Sequence, residues 1–169
     1  MVILVDTREH KGKNDHILEF FDKQNIKWER KKLNAGDYSF YLPKNEKLGI
    51  TEDISFEDEI MVERKANLEE ISANCCEKAT KDTKPGQRIE NEFARSPKTK
   101  VLLIENASYE MLVKGEYSTD LAPKSFWAKL FTYWHRYDVP TYFMPNTRYS
   151  GQFIYGYLHY YLRERIRLK

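Results

Sequence analysis

The sequence predicts an α/β domain: a central mixed, partly parallel β-sheet flanked by helices. Two observations carry this expectation. Short segments of five or six residues with apolar cores recur at residues 2–6, 60–65, 100–105 and 140–144, β-branched and Leu-rich in the first three and aromatic in the last, which is the length of buried strands. Between them lie longer stretches whose apolar residues recur every three or four positions, the period of a helix packed on one side. Strands alternating with helices place helices on the faces of a sheet. The chain has 169 residues, 41% of them hydrophobic and 14% aromatic, enough for one domain with a real core.

In chain order, residues 2–6 form the first buried strand. Asp15 is expected to cap a helix of about ten residues carrying Ile17, Leu18, Phe20 and Phe21. Residues 27–33 and 37–42 are extended, the first of them charged and exposed. Residues 43–59 make a long loop or hairpin extension before the strand 60–65. A helix starts near Asn67, with Leu68, Ile71 and Cys75 on one side. Pro85-Gly86 breaks the chain before a second helical piece through Glu92, and residues 100–105 return to the sheet. Pro123 suits the first turn of a helix bearing Phe126, Leu130, Tyr133, Trp134 and Tyr137. A strand at 140–144 leads to a last helix, where Ile154, Leu158, Leu162 and Ile166 recur every four residues. No internal repeat or low-complexity tract is visible.

The chemistry-bearing pattern is Ala35-Gly36-Asp37-Tyr38 followed by Ile60-Met61-Val62-Glu63-Arg64-Lys65. Residues two apart on a strand share a face, so Glu63 and Lys65 point one way and Arg64 the other. With Asp37 supplied by a neighbouring strand, two carboxylates offer the oxygen ligands that suit Mg²⁺ or Mn²⁺. A lysine beside them can orient a water or balance a developing oxyanion. Glu-x-Lys by itself is weak, because the chain is 32% charged and also contains Glu9-His10-Lys11 and Glu29-Arg30-Lys31. Only Glu63 follows both an apolar run and a Gly-Asp turn.

Val5-Asp6-Thr7-Arg8-Glu9, Gly36-Asp37-Tyr38 and Glu63-Arg64-Lys65, in that order, resemble the XPF-type structure-specific endonuclease family and its GD…ERKxxxD hallmark. Gln87-Arg88-Ile89-Glu90, Lys100-Val101-Leu102-Leu103-Ile104-Glu105 and Tyr137-Asp138-Val139-Pro140-Thr141-Tyr142-Phe143 are similar to its later helix and strands. The resemblance implies a restriction-endonuclease-like core and a Mg²⁺- or Mn²⁺-dependent DNA endonuclease acting at branched DNA in replication, recombination or repair. It assigns Asp37 and Glu63 as metal ligands, Asp6 as a third acid completing the site, and Lys65 as the residue that positions the attacking water. Arg8, Arg64 and Arg88 are candidate substrate contacts. Each has a plainer reading: a surface salt bridge for Arg8, a buried ion pair for Arg64 and an exposed helix arginine for Arg88. The chain departs from the pattern at Glu69, which stands where the family has aspartate, and in the longer interval filled by residues 43–59. The resemblance covers the nuclease domain, residues 1–169, without a helix-hairpin-helix module.

Composition sets bounds on the partners. Net charge is +2, so charge distribution matters more than its total. Basic residues gather at Lys23, Lys27, Arg30, Lys31 and Lys32, at Lys78, Lys81, Lys84, Arg88, Arg95, Lys98 and Lys100, and at Arg163, Arg165, Arg167 and Lys169. Glu52, Asp53, Glu57, Asp58 and Glu59 form an acidic run, a solvated loop or a feature limiting which duplex arm enters. Cys75 and Cys76 are adjacent and read as reduced thiols of an intracellular protein, with no signal peptide and no membrane span. The histidines show no zinc-like spacing with them, and His135 and His159 read as packing residues. Phe126, Trp127, Tyr133, Trp134, Tyr155, Tyr157, Tyr160 and Tyr161 exceed what one buried stripe needs, and a homodimer is expected. No small-molecule cofactor is expected. The rival readings are a non-catalytic DNA-binding subunit, a sequence-specific restriction-type nuclease and a purely structural interaction protein.

Overall fold

The computed structural model describes residues 1–9, 12–77 and 86–167. Seven strands are present among them: β1 (Val2–Asp6), β2 (Trp28–Lys31), β3 (Tyr38–Leu42), β4 (Ile54–Ser55), β5 (Ile60–Lys65), β6 (Thr99–Glu105) and β7 (Thr141–Met144). They form one sheet in the order β2-β1-β3-β5-β6-β7, with β4 paired to β3. The β1–β2, β5–β6 and β6–β7 pairs are parallel, and β3 is antiparallel to β1, β4 and β5. The sheet is therefore mixed and partly parallel, as the alternation of elements implied.

Among the described residues six helices flank it: α1 (Asp15–Lys23), α2 (Leu68–Cys76), α3 (Gln87–Arg95), α4 (Tyr109–Lys114), α5 (Pro123–Tyr137) and α6 (Ser150–Arg167). Two cores result, one on each face. Ile3, Val5, Tyr38, Phe40, Ile60, Val62, Val101 and Leu103 pack against Ile17 and Phe21 of α1 and Ile154, Leu158 and Leu162 of α6. Met61, Leu102 and Ile104 meet Leu68, Ile71, Phe93, Phe126 and Tyr133 from α2, α3 and α5. The central strands are apolar on both sides because both faces are covered. Each fully buried Leu, Ile or Phe contributes about 1.5–3 kcal/mol relative to exposure.

Several elements differ from the sequence expectation. Asp15 does not cap α1; it is the first helical residue, and Asn14 precedes it without a capping side-chain bond. The Asn14 side chain is instead buried and donates to the Tyr38 hydroxyl at 3.1 Å. The short helix α4 was not expected. Its signals are local: Ser108 accepts from the Met111 N–H, and Gly115 closes the helix in the left-handed conformation. Residues 43–59 combine a 3-10 turn at Glu46–Leu48 with β4, which continues the edge of β3 beside Tyr41 and Leu42. Pro85, part of the expected helix break, lies outside the described residues, as do His10, Lys11, Lys78, Lys81, Lys84 and Lys169. No helix among the described residues is long and apolar enough to cross a membrane.

The α1–α6 contact depends on close approach at Gly151. A Cβ there would lie 2.7–2.8 Å from the Phe20 ring and its Cβ. Gly151→Ala is expected to cost about 1–3 kcal/mol by overpacking, read as a lower urea midpoint at constant slope. An unchanged midpoint would show that Phe20 swings aside freely.

Candidate active site

The site is assembled at the end of the sheet where β3 begins and β5 ends. Gly36 turns the chain into β3 with φ of 72°, a conformation that L side chains rarely adopt. A Cβ at Gly36 would also meet the Met61 sulfur at 2.7 Å. Glycine thus allows the turn to sit against β5. Asp37 follows, with its N–H donating to Val62 O at 2.9 Å and its carbonyl accepting from Asp6 N at 2.8 Å. Those bonds continue the β1–β3–β5 register past Tyr38, so Asp6, Asp37 and Glu63 lie side by side on adjacent strands.

Alternation along β5 then sorts the side chains. Met61, Glu63 and Lys65 face the α2–α3 side, while Val62 and Arg64 face the α1–α6 side. Lys65 Nζ lies 2.7 Å from Glu63 Oε1. The Arg64 backbone N–H donates to Asp37 Oδ2 at 2.7 Å. Glu63 is 4% exposed. Burial pushes both carboxyls above their usual range, and the Glu63 charge raises Asp37 further. Lys65 acts in the opposite sense on both. The lysine itself is held above its ordinary value: its burial lowers it, but the charges of Glu63 and Asp37 outweigh that.

The structure does not bring Asp6 into this pair. Its carboxylate is 1% exposed and is taken up by Arg8, through the backbone N–H at 2.7 Å, Nε at 3.0 Å and Nη2, and by Leu33 N–H at 3.3 Å. Arg8 is half exposed and also donates to Leu33 O. Arg64 is 4% exposed and sits on the far face, bound to Glu105, Glu9 and the Lys13 carbonyl. Burial there removes it from a substrate surface. Arg88 is exposed on α3, paired with Glu77 at 2.8 Å, and is influenced by the charges of Glu92 and Glu63. Glu69 lies in the first turn of α2 and makes no side-chain bond to Asp37, Glu63 or Lys65 among the described residues. Its neighbour Glu70 does more: it accepts from Ala66 N–H at 2.8 Å, reciprocating the Asn67 cap, and its charge acts on Glu63 and Lys65.

Three acids near the site escaped the sequence reading: Glu9, whose charge acts on Asp37, and Glu70 and Glu92, whose charges act on Glu63. For Glu9 the signal was its place in Val-Asp-x-Arg-Glu; for Glu92 it was the four-residue spacing from Arg88 on one helix face. No group of three or more His, Cys, Asp or Glu among the described residues has the geometry of a metal site. Asp37 and Glu63 nonetheless suit Mg²⁺, which is commonly held by one or two carboxylates, its waters and substrate phosphates. Two adjacent carboxylates in a buried setting, balanced by a single lysine, leave negative charge that a hard cation would neutralise.

Of the expected charged clusters, Arg30 and Lys31 end β2 beside Val5 and Asp6, whereas the acidic run and the basic end of α6 lie away from this end. Residues 43–59 join the ends of β3 and β5 that lie away from Asp37 and Lys65. The acidic run therefore does not border the site; Glu57 pairs with Lys31, and Glu59 binds Tyr161 at 2.8 Å and Arg165 at 2.8 Å. That last pair places the basic end of α6 at the far end too. Cys75 is buried against the Tyr133 hydroxyl at 3.3 Å and Cys76 is exposed; both are free thiols. His135 stacks on Trp134 and His159 on Tyr155.

A mixed sheet with a Gly-Asp turn and a Glu-x-Lys strand end, covered on both faces by helices, defines a restriction-endonuclease-like nuclease fold. The ERCC4 domain family profile matches residues 5–157, and the chain belongs to that family, with an XPF-type nuclease domain. Among solved structures, XPF from Aeropyrum pernix matches with a TM-score of 0.60 at 15% identity, covering 94% of this chain and 60% of that one. XPF from Aeropyrum pernix in complex with DNA matches with a TM-score of 0.63 at 14% identity, covering 96% of this chain and 66% of that one. The chain thus spans about 60–66% of the proteins it resembles, and the likeness at such identity is one of fold. No curated protein matches the sequence.

The raised carboxyls give a pH signature. A carboxyl with a higher pKa folded than unfolded holds its proton longer in the native state, so stability falls as pH rises through the interval between the two values. Below the unfolded value, near 3.8 for aspartate, the difference vanishes. Metal-free Asp37→Asn, which keeps an acceptor for Arg64 N–H, is expected to be more stable than the parent by about 0.5–2 kcal/mol at pH 7. The gain should disappear below pH ~4. Denaturant melts across pH check this, and equal stability at pH 7 would contradict the assignment of a buried, strained carboxylate.

Proposed function

We propose that this chain is a Mg²⁺- or Mn²⁺-dependent DNA endonuclease that hydrolyses phosphodiester bonds at branched or junction DNA. The observation that carries the reading is the juxtaposition of Asp37, Glu63 and Lys65 at one sheet end, within a fold of the ERCC4 family. Asp37 and Glu63 would hold the cation. When bound, it supplies a water of lowered pKa and neutralises charge on the phosphoryl oxygens. Lys65, kept protonated by Glu63 and Asp37, would orient that water or balance the oxyanion. Asp6 acts one strand away by clamping Arg8, and the half-exposed Arg8 and exposed Arg88 are cations available to phosphates. Arg64 supports the site from behind.

The second Aeropyrum structure holds DNA, which favours DNA as the partner here. Shape and phosphate contacts, rather than base edges, would then dominate, and binding would weaken steeply with salt. A homodimer is favoured by an apolar cleft of about 280 Å³ at the open β7 edge, lined by Tyr109, Trp127, Leu130, Phe131, Trp134 and Phe143. Phe131 and Trp134 are exposed there, whereas Phe126 and Tyr133, from the same aromatic-rich helix, are buried.

Labelled forks, flaps, four-way junctions and plain duplex, with and without Mg²⁺, test the activity. Cleavage of branched substrates only with metal is expected, and Asp37→Asn or Glu63→Gln should lower it by about 10²–10³-fold or more while leaving the fold intact. Full activity in either variant removes the proposed site. Discrete cuts in plain linear duplex would point to a restriction-type enzyme instead. Light scattering at micromolar concentration is expected to give a dimer mass for the parent and a monomer for Trp134→Glu. A monomeric parent would rule the homodimer out.

A further inference from the structure

We propose that Glu105 is a positioning residue for Asp37, acting through Arg64 from the opposite face of the sheet. The inference rests on the metal-site reading above and extends it to a residue on the other side of β5. Glu105 ends β6 and is 1% exposed among the α1–α6 core. Its Oε2 accepts from Arg64 Nε at 2.9 Å and Nη2 at 2.6 Å, and its Oε1 lies 2.8 Å from His16 Nε2. Arg64 Nη2 also donates to Lys13 O at 2.8 Å, and Nη1 to Glu9 Oε2 at 3.3 Å. One guanidinium therefore ties the ends of β5 and β6 to the β1–α1 connection.

The consequence for the site runs through the main chain. The residue so anchored is the one whose backbone N–H holds Asp37 Oδ2 at 2.7 Å. It is also flanked in sequence by Glu63 and Lys65. Fixing the Arg64 side chain on one face restrains the peptide unit that joins Glu63 to Arg64. That peptide orients Asp37 toward Glu63 on the other face. Removing the Glu105 charge leaves Arg64 buried with poorer neutralisation and frees this peptide to turn. Burial alone would raise the Glu105 carboxyl, yet its hydrogen bonds, led by those from Arg64, hold it below the usual range. It is thus an ionised partner for Arg64. Groups that orient metal ligands typically change metal affinity about 10–100-fold when altered.

Glu105→Gln keeps the shape and one acceptor but removes the charge. His16→Ala removes the partner at the more exposed edge of the network and guards against a folding failure in the first variant. Calorimetric Mn²⁺ titration of the parent, Glu105→Gln, His16→Ala and Asp37→Asn is read beside thermal melts. The Mg²⁺ dependence of cleavage is measured in parallel. In folded Glu105→Gln the Mn²⁺ Kd is expected to rise about tenfold or more, with a smaller rise of about two- to fivefold in His16→Ala. The Mg²⁺ half-saturation should shift in the same order, while kcat at saturating Mg²⁺ stays close to the parent's. An unchanged Mn²⁺ Kd in folded Glu105→Gln overturns the proposal, and if that variant does not fold, an unchanged Kd in His16→Ala does so. Weaker binding in Asp37→Asn with parental binding in Glu105→Gln removes the positioning role alone. No Mn²⁺ binding by the parent removes the metal-site reading and this proposal together.

Discussion

The hydrogen bond from Arg64 N–H to Asp37 Oδ2 is the interaction on which the arrangement of the site depends. It exists because β3 and β5 are antiparallel neighbours and because the turn at Gly36 leads directly through Asp37 into β3. Without that turn, Asp37 would not lie beside Glu63. The bond also couples the two faces of the sheet. On one face are the carboxylates and Lys65. On the other, the Arg64 guanidinium is locked among Glu105, Glu9 and the Lys13 carbonyl. The buried arginine is satisfied, whereas the buried carboxylates are left with an excess of negative charge.

That contrast is physically meaningful. A network in which a buried cation meets several acceptors rigidifies its surroundings. Two adjacent carboxylates in a desolvated setting, with Glu9, Glu70 and Glu92 adding negative charge, work against folding unless a proton or a cation is present. The apolar cores on both faces offset that cost. Strain of this kind concentrates where chemistry is done. The same logic separates the two aspartates near the site. Asp6 is engaged by Arg8 and the Leu33 N–H, while Asp37 accepts from the Arg64 N–H and feels the Glu63 charge.

The layout also divides the surface. The end of the sheet that holds Asp37 and Glu63 carries the β1–α1 connection and the start of α2. The opposite end carries the 43–59 segment, the beginning of β6 and the basic end of α6, so much of the chain's positive charge is remote from the carboxylates. The β7 edge is apolar and lies apart from both. Similarity to the Aeropyrum structures at 14–15% identity is carried by this sheet and its helices.

Much of this was legible in the sequence. Strand β5 announced itself by its apolar run and β6 by its own, and strand alternation alone placed Glu63 and Lys65 together and Arg64 behind them, because a period of two follows from backbone geometry. The Gly36-Asp37 turn was visible as a word, since glycine best suits a positive-φ turn packed against Met61. Helix α4 was not seen, for at six residues it is under two turns and too short to show a helical period; Asp15 was misread as a cap because the burial of Asn14 against Tyr38 is a long-range event. What the tertiary structure alone decided was which charges meet. The Arg64–Glu105–His16 network and the approach of Glu70 and Glu92 to Glu63 join residues separated by loops or lying on different elements. Charge pairing depends on distance in space, and spacing along the chain records that distance only within a single strand or helix.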